Sequence, residues 1–152
     1  MKVATQVAKH FREIYFGGNW TATNLKDVLH NITFEQATTK VKDLNTILTL
    51  TYHIQYYVAA VLKVFQGEEL QAKDAHSFNH PNITSQSEWE AFTSKILKDA
   101  EVFADYLEKL PEDCFDQPFT DEKYGSYYRN MHGIIEHSHY HLGQISLLKK
   151  LV

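Results

Sequence analysis

Two histidines near the end of the chain have the spacing of a metal-binding pair. His137 and His141 are four residues apart in a segment with a helical pattern. On a helix, residues i and i+4 lie one above the other on the same face. Two imidazoles at this spacing can bind one metal ion, as the histidines of HExxH metalloproteases do. The pair therefore indicates a metal site.

The apolar pattern around this pair distinguishes it from the other histidines. The chain has nine histidines, and His76 and His80 share the same spacing in a polar segment that we predict to be a loop. His137 and His141 instead belong to a stripe typical of a core-facing helix, which comprises Ile134, His137, His141, Ile145 and Leu148. Buried imidazoles cost free energy unless their nitrogens find partners. The alternative to a metal site is therefore a pair of hydrogen-bonded core histidines.

A histidine pair leaves a divalent metal short of ligands, so a third side chain from another helix is required. His53 is the best candidate because it lies with Leu50 and Tyr57 at the edge of an apolar helix face. Its alternative role is that of a partly buried histidine bonded to a nearby tyrosine. His10, on the first helix, is a weaker candidate. We interpret the remaining histidines as surface residues: His30, His76, His80, His132 and His139.

Helical periodicity extends over most of the chain, and no segment has a convincing strand pattern. We predict four long helices, with two short ones between the first and the second. The predicted capping boxes are Thr33 with Gln36 and Ser87 with Glu90. The predicted ranges are 2–16, 24–30, 34–40, 43–65, 87–110 and 126–150. The sequence therefore predicts an all-α fold, a four-helix bundle with long crossover loops, as a single domain over 1–152.

The composition is that of an ordinary globular domain, with 43% hydrophobic and 22% charged residues. The net charge of -4 argues against a nucleic-acid partner, since such binding depends on neutralising phosphates. No apolar run approaches the length of a membrane span, so we expect a cytoplasmic protein with no membrane partner.

The single cysteine, Cys114, excludes an internal disulfide. Its acidic neighbours are expected to raise the pKa of the thiol, which makes it a poor nucleophile.

The last helix resembles a known protein family. The segment 131–145 matches roughly the pattern gxxxHxxxHxGQI, the closing signature of the DinB-like (YfiT-like) metalloprotein superfamily. The segment 49–54 resembles the family's second-helix histidine segment, and Glu88-Trp89 opens the third long helix as in many members. The resemblance covers essentially the whole chain in length and in helix order.

The resemblance implies a four-helix bundle that binds one divalent ion, commonly nickel or zinc, through three histidines. The matching positions in this chain are His53, His137 and His141, the same residues that the helical patterns favour. Members are often homodimers, so the resemblance also implies a homodimer. Imidazole ligands alone do not select the metal, because they suit zinc, nickel, copper and iron.

The resemblance also implies a reaction. Three neutral imidazoles leave the full positive charge on the metal and one position open, and such an ion lowers the pKa of a bound thiol or water. Characterised relatives include thiol-dependent S-transferases and a mycothiol-dependent isomerase. We therefore expect an S-transferase-like enzyme that acts on a small-molecule substrate with a low-molecular-weight thiol. The alternatives are a metal-dependent hydrolase and a non-catalytic, stress-associated bundle that binds a metal or a ligand.

Other polar residues near the three histidines have more than one possible role. Glu136 projects about 100° around the helix from His137, which favours a surface charge over a general base. Gln144 follows His141 by three residues and either orients a ligand or bonds across helices. Three tyrosines of the second long helix either line the mouth of a pocket or belong to the core: Tyr52, Tyr56 and Tyr57.

Overall fold

The computed structural model describes residues 2–152 of the chain. These residues form six α-helices and no strand, which confirms the all-α prediction. The helices are α1 (Val3–Phe16), α2 (Leu25–Leu29), α3 (Phe34–Thr38), α4 (Ile47–Phe65), α5 (Gln86–Glu108) and α6 (Tyr127–Leu148). Three short 3-10 helices lie in the connecting segments, at Asp74–His76, Glu112–Asp116 and Glu122–Tyr124.

Two of the helix starts agree with the prediction, α3 at its predicted capping box and α6 at the predicted start at residue 126. At α3, the Thr33 side chain accepts a hydrogen bond from the Gln36 backbone, and the Gln36 side chain accepts one from the Thr33 backbone. This is a complete capping box. At α6, the Ser126 hydroxyl accepts a hydrogen bond from the backbone N–H of Arg129. Each cap satisfies a backbone donor that the first helical turn leaves without a partner.

The starts of α4 and α5 differ from the prediction. The Thr46 side chain accepts from the Thr49 backbone, so α4 begins at Ile47 and not at residue 43. In α5 the cap is Ser85, which accepts from the Glu88 backbone. The predicted capping box at Ser87 is therefore wrong, because Ser87 already belongs to the first helical turn. In both cases the side chain that caps the helix lies within three residues of the predicted start.

The four longest helices pack around a shared core. Helix α1 packs against α5 and α6, and α4 packs against the same two helices. The short helices cover the remaining edges, with α2 on α1 and α6 and with α3 on α4 and α5. In the core, the Phe11 ring lies 4.6 Å from the Tyr15 ring and 4.5 Å from the Phe103 ring. Burying each large apolar side chain stabilises the fold by about 1.5–3 kcal/mol.

The segment between α4 and α5 is held against α4 by tyrosine hydroxyls. The Tyr56 hydroxyl accepts from the Lys73 backbone N–H at 2.8 Å and donates to the Lys73 carbonyl at 3.1 Å. The next residue of α4, Tyr57, makes a similar contact with the next residue of the segment: its hydroxyl donates to Asp74 Oδ1 at 2.8 Å. This segment therefore lies over α4 next to the contact between α4 and α6.

No helix among residues 2–152 combines the length and the apolarity that crossing a membrane requires.

Candidate metal centre

The rings of His53, His137 and His141 meet where α4 packs against α6. The Nε2 atoms of His53 and His137 are 3.0 Å apart. The centroid of the His141 ring lies 4.7 Å from the centroid of the His53 ring and 4.6 Å from that of the His137 ring. One nitrogen from each ring lies within 4.8 Å of the other two. Nitrogens in a tetrahedral zinc site lie about 3.3 Å apart, so small side-chain movements would bring the three rings to the spacing of a metal site.

Hydrogen bonds fix the protonated nitrogen of two of the three rings. His53 Nδ1 lies 3.2 Å from the Ser77 carbonyl oxygen, which can only accept, so Nδ1 carries the hydrogen. His141 Nδ1 lies 2.7 Å from Gln144 Oε1, which is also an acceptor. In the neutral ring, each of these bonds leaves a lone pair on Nε2. Metal-binding histidines are oriented by partners of this kind.

Aromatic side chains pack against two of the three rings, His53 and His137. The Phe78 ring stacks on the His53 ring at 3.9 Å, with an interplanar angle of 9°. The Tyr57 ring meets His53 and His137 edge-on, at 5.3 Å and 4.9 Å between centroids. His53 is only 6% exposed as a result. The rings therefore lie in a partly desolvated site.

Desolvation favours the neutral form of two of these rings, His53 and His137. Burial is the largest cause that lowers the pKa of His53, and the Ser77 hydrogen bond and Asp74 oppose it in part. Burial, followed by the charges of His141 and His53, lowers the pKa of His137 to about 4. Since a metal binds only the unprotonated nitrogen, a neutral ring at physiological pH is ready to act as a ligand.

Three residues that contact the site were not predicted from the sequence: Asp74, Ser77 and Phe78. All three lie in the segment that we predicted to be a polar loop. Ser77 acts through its backbone carbonyl, which has no signature in the sequence. Phe78 is a single aromatic residue outside any periodic pattern. For Gln144, whose role the sequence left open, the hydrogen bond to His141 supports the orienting role.

The other candidate ligand, His10, lies away from the three histidines. Its ring faces the His132 ring at 6.4 Å, between α1 and α6. The surface prediction holds for His30 and His76, which are exposed. The other three histidines that we interpreted as surface residues are partly exposed: His80, His132 and His139.

Comparison of the chain with protein-family models, with curated proteins and with solved structures found no match. The DinB-like resemblance therefore stays a prediction that rests on the motif residues.

A cavity of about 440 Å³ opens beside His137. It lies between α4, α6 and the two connecting segments that follow α4 and α5. Its walls are largely apolar or aromatic, and they include Tyr57, Ala60, Val61, Leu70, Phe119 and Ile134. A larger cavity, of about 630 Å³, lies between α5 and the residues around α2, and none of the three histidines lines it. Of these two cavities, the smaller one is therefore the one in contact with the histidine cluster, through His137.

Two further residues have the surroundings that the sequence predicts. Glu136 is exposed and pairs with Arg129, with 3.1 Å between Oε2 and Nη1, so it is a surface charge. Cys114 is a free, partly buried cysteine. Burial, followed by the charge of Asp113, raises the pKa of its thiol. A raised pKa disfavours the thiolate that a nucleophilic cysteine needs.

Proposed function

We propose that this protein is a DinB-like metalloenzyme that transfers a small thiol to an organic electrophile. His53, His137 and His141 would hold one divalent ion, zinc or nickel. The observation that carries the proposal is the convergence of three imidazoles, in two of which Nδ1 faces a hydrogen-bond acceptor and Nε2 carries the lone pair. The packing of α1 and α4 against α5 and α6 supports the four-helix bundle that this family implies.

The donor set favours a catalytic ion over a purely structural one. Structural zinc sites use four protein ligands, whereas three protein ligands leave a position open to another molecule. When bound, a divalent ion in this site supplies a positive charge that stabilises a thiolate near neutral pH. The cavity beside His137 gives a substrate a route to that position.

The groups around the three histidines have distinct roles in the proposed reaction. Gln144 and the Ser77 carbonyl orient two of the ligands. Phe78 and Tyr57 exclude water from the imidazoles. The overall change is R–SH + R′–X giving R–S–R′ + HX, in which the thiol proton leaves to solvent and a carbon–sulfur bond replaces the carbon–X bond. The apolar walls of the cavity suit the organic part of such an electrophile.

The experiment uses the protein loaded with Co²⁺, whose visible spectrum reports a sulfur ligand. We expect 2-mercaptoethanol to change that spectrum, and the loaded protein to consume thiol together with an alkyl halide. His137→Ala should lose both effects. His132→Ala is the matched control on the same helix, since it lies outside the histidine cluster and should keep both. Bound Co²⁺ without any response to thiols would overturn the proposed transferase, and ester hydrolysis in its place would identify a hydrolase.

A further inference from the structure

We infer that the cavity beside His137 binds a small molecule with an apolar body and a carboxylate, and that Arg129 recognises the carboxylate. The inference rests on the proposed function in one respect, because it makes this molecule the substrate of the metal site. The volume of about 440 Å³ lies in the range of pockets that enclose small organic ligands.

The cavity wall has two side chains of opposite charge. Among the described residues that line it, Arg129 is the one permanent cation and Asp74 is the one carboxylate. Asp74 already accepts the hydrogen bond of the Tyr57 hydroxyl, next to the histidines. An anionic group is therefore repelled from the Asp74 side and attracted to Arg129. This arrangement gives the ligand a preferred direction in the cavity.

The spacing along α6 places Arg129 on the same side as the metal ligands. Arg129, Gly133 and His137 follow one another at intervals of four residues, so they lie along one face. A Cβ atom added at Gly133 would meet Arg129 Nη1 at 3.4 Å. The guanidinium therefore lies directly over Gly133, one helical turn from His137. Because Gly133 has no side chain, the cavity stays open between the cation and the histidine.

The guanidinium of Arg129 is available for a ligand. Within residues 2–152, its ion pair joins Nη1 to Glu136 Oε2 at 3.1 Å, and both side chains are more than 60% exposed, at 63% and 65%. An ion pair this exposed contributes little stability and is easily exchanged. A guanidinium has five N–H donors, in a fork that matches the two oxygens of a carboxylate.

The test measures binding to the metal-free protein by NMR titration. The probes are 4-phenylbutyrate and its neutral analogue 4-phenyl-1-butanol, which have the same apolar body. We expect the carboxylate to bind about tenfold more tightly than the alcohol, since hydrogen bonds to charged groups are stronger than neutral ones. Arg129→Gln should abolish this preference, and Glu136→Gln should increase it by freeing the guanidinium. Lys150→Gln is the matched control for the loss of one positive charge and should leave the preference unchanged.

A second pair of variants tests the location. Gly133→Leu places a side chain in the cavity and should abolish binding of both probes. Gly143→Leu adds the same side chain on the same helix where nothing lies within 4 Å, so it should bind both probes normally. Equal affinity for the two probes in the wild-type protein, or unchanged binding in Gly133→Leu, would overturn the inference. If Gly133→Leu fails to fold, the Arg129→Gln result alone tests the inference.

These results are independent of the metal. A metal-free protein that prefers the carboxylate but never binds an ion would overturn the proposed function and leave the Arg129 site in place. A protein that binds Co²⁺ and thiols but treats the two probes alike would overturn only the Arg129 site.

Discussion

Burial of the His137 ring makes the stability of the folded protein depend on pH. Its pKa is lowered from 6.5 to about 4 in the folded protein. Between these pH values the unfolded chain binds a proton that the folded chain does not, so the free energy of unfolding falls as the pH is lowered through this window. The ring is only partly buried, and we therefore expect a reduced contribution of roughly 1–2 kcal/mol.

The measurement is urea unfolding of the metal-free protein at pH 7 and pH 4.5. The loss of unfolding free energy from pH 7 to pH 4.5 should be smaller in His137→Gln than in the wild-type protein, by roughly 1–2 kcal/mol. An identical loss in both proteins would show that His137 does not titrate with folding.

Gln144 is the residue whose replacement should weaken the metal site without removing a ligand. It accepts a hydrogen bond from His141 Nδ1 at 2.7 Å. Loss of such a partner typically reduces metal affinity 10–100-fold. We expect that reduction in Gln144→Leu, measured by competition with a zinc chelator. Gln144→Glu keeps an acceptor oxygen in the same place and should retain the affinity, and equal loss in both variants would contradict the orienting role.

At the residue level, the sequence was sufficient to predict which histidines come together. His137 and His141 follow from the i, i+4 spacing on an apolar stripe, and His53 from its place at the edge of another. Their surroundings were not predictable in the same way. The Ser77 carbonyl and the Phe78 ring reach His53 from a connecting segment. Such segments have no periodicity that relates them to distant residues.

The helices themselves follow from periodicity, but their first residues depend on local competition between capping groups. In α5 the cap is Ser85 and not Ser87, although both are serines followed by a glutamate three residues later. Loss of a capping hydroxyl costs about 1 kcal/mol. Ser85→Ala should therefore lower the free energy of unfolding by about that amount in urea titrations, and Ser87→Ala by less than half of it. The reverse order would place the helix start at Ser87.

The connecting segment between α4 and α5 has a polar sequence, but it makes defined contacts with α4. Its composition predicted a loop, and residues 74–76 form only a short 3-10 helix there. Tyr56 and Tyr57 of α4 hold it through hydrogen bonds to Lys73 and Asp74. These contacts depend on the path of the backbone after α4 ends. The pattern of the sequence does not specify that path.

At the scale of the whole molecule, the histidine cluster joins parts of the chain that are far apart in sequence. His53 and His137 are separated by 84 residues, and they meet because α4 packs against α6. An ion bound between these helices binds the folded chain and not the unfolded one. It should therefore raise the free energy of unfolding, by about 2.7 kcal/mol when the free ion is at 100 times its dissociation constant.

Thermal or urea unfolding with and without zinc measures this coupling. The wild-type protein and His132→Ala should both gain stability, whereas His137→Ala should gain none. A gain of the same size in His137→Ala would mean that zinc stabilises the fold from another site.

The metal content of the untagged protein tests the central claim most directly. It is measured by plasma mass spectrometry after reconstitution with zinc or nickel, beside His53→Ala and the control His132→Ala. We predict about one divalent ion per chain in the wild-type protein and in His132→Ala, and its loss in His53→Ala. Wild-type protein without bound metal, or His53→Ala that retains a full complement, would contradict the assignment of the three histidines as metal ligands.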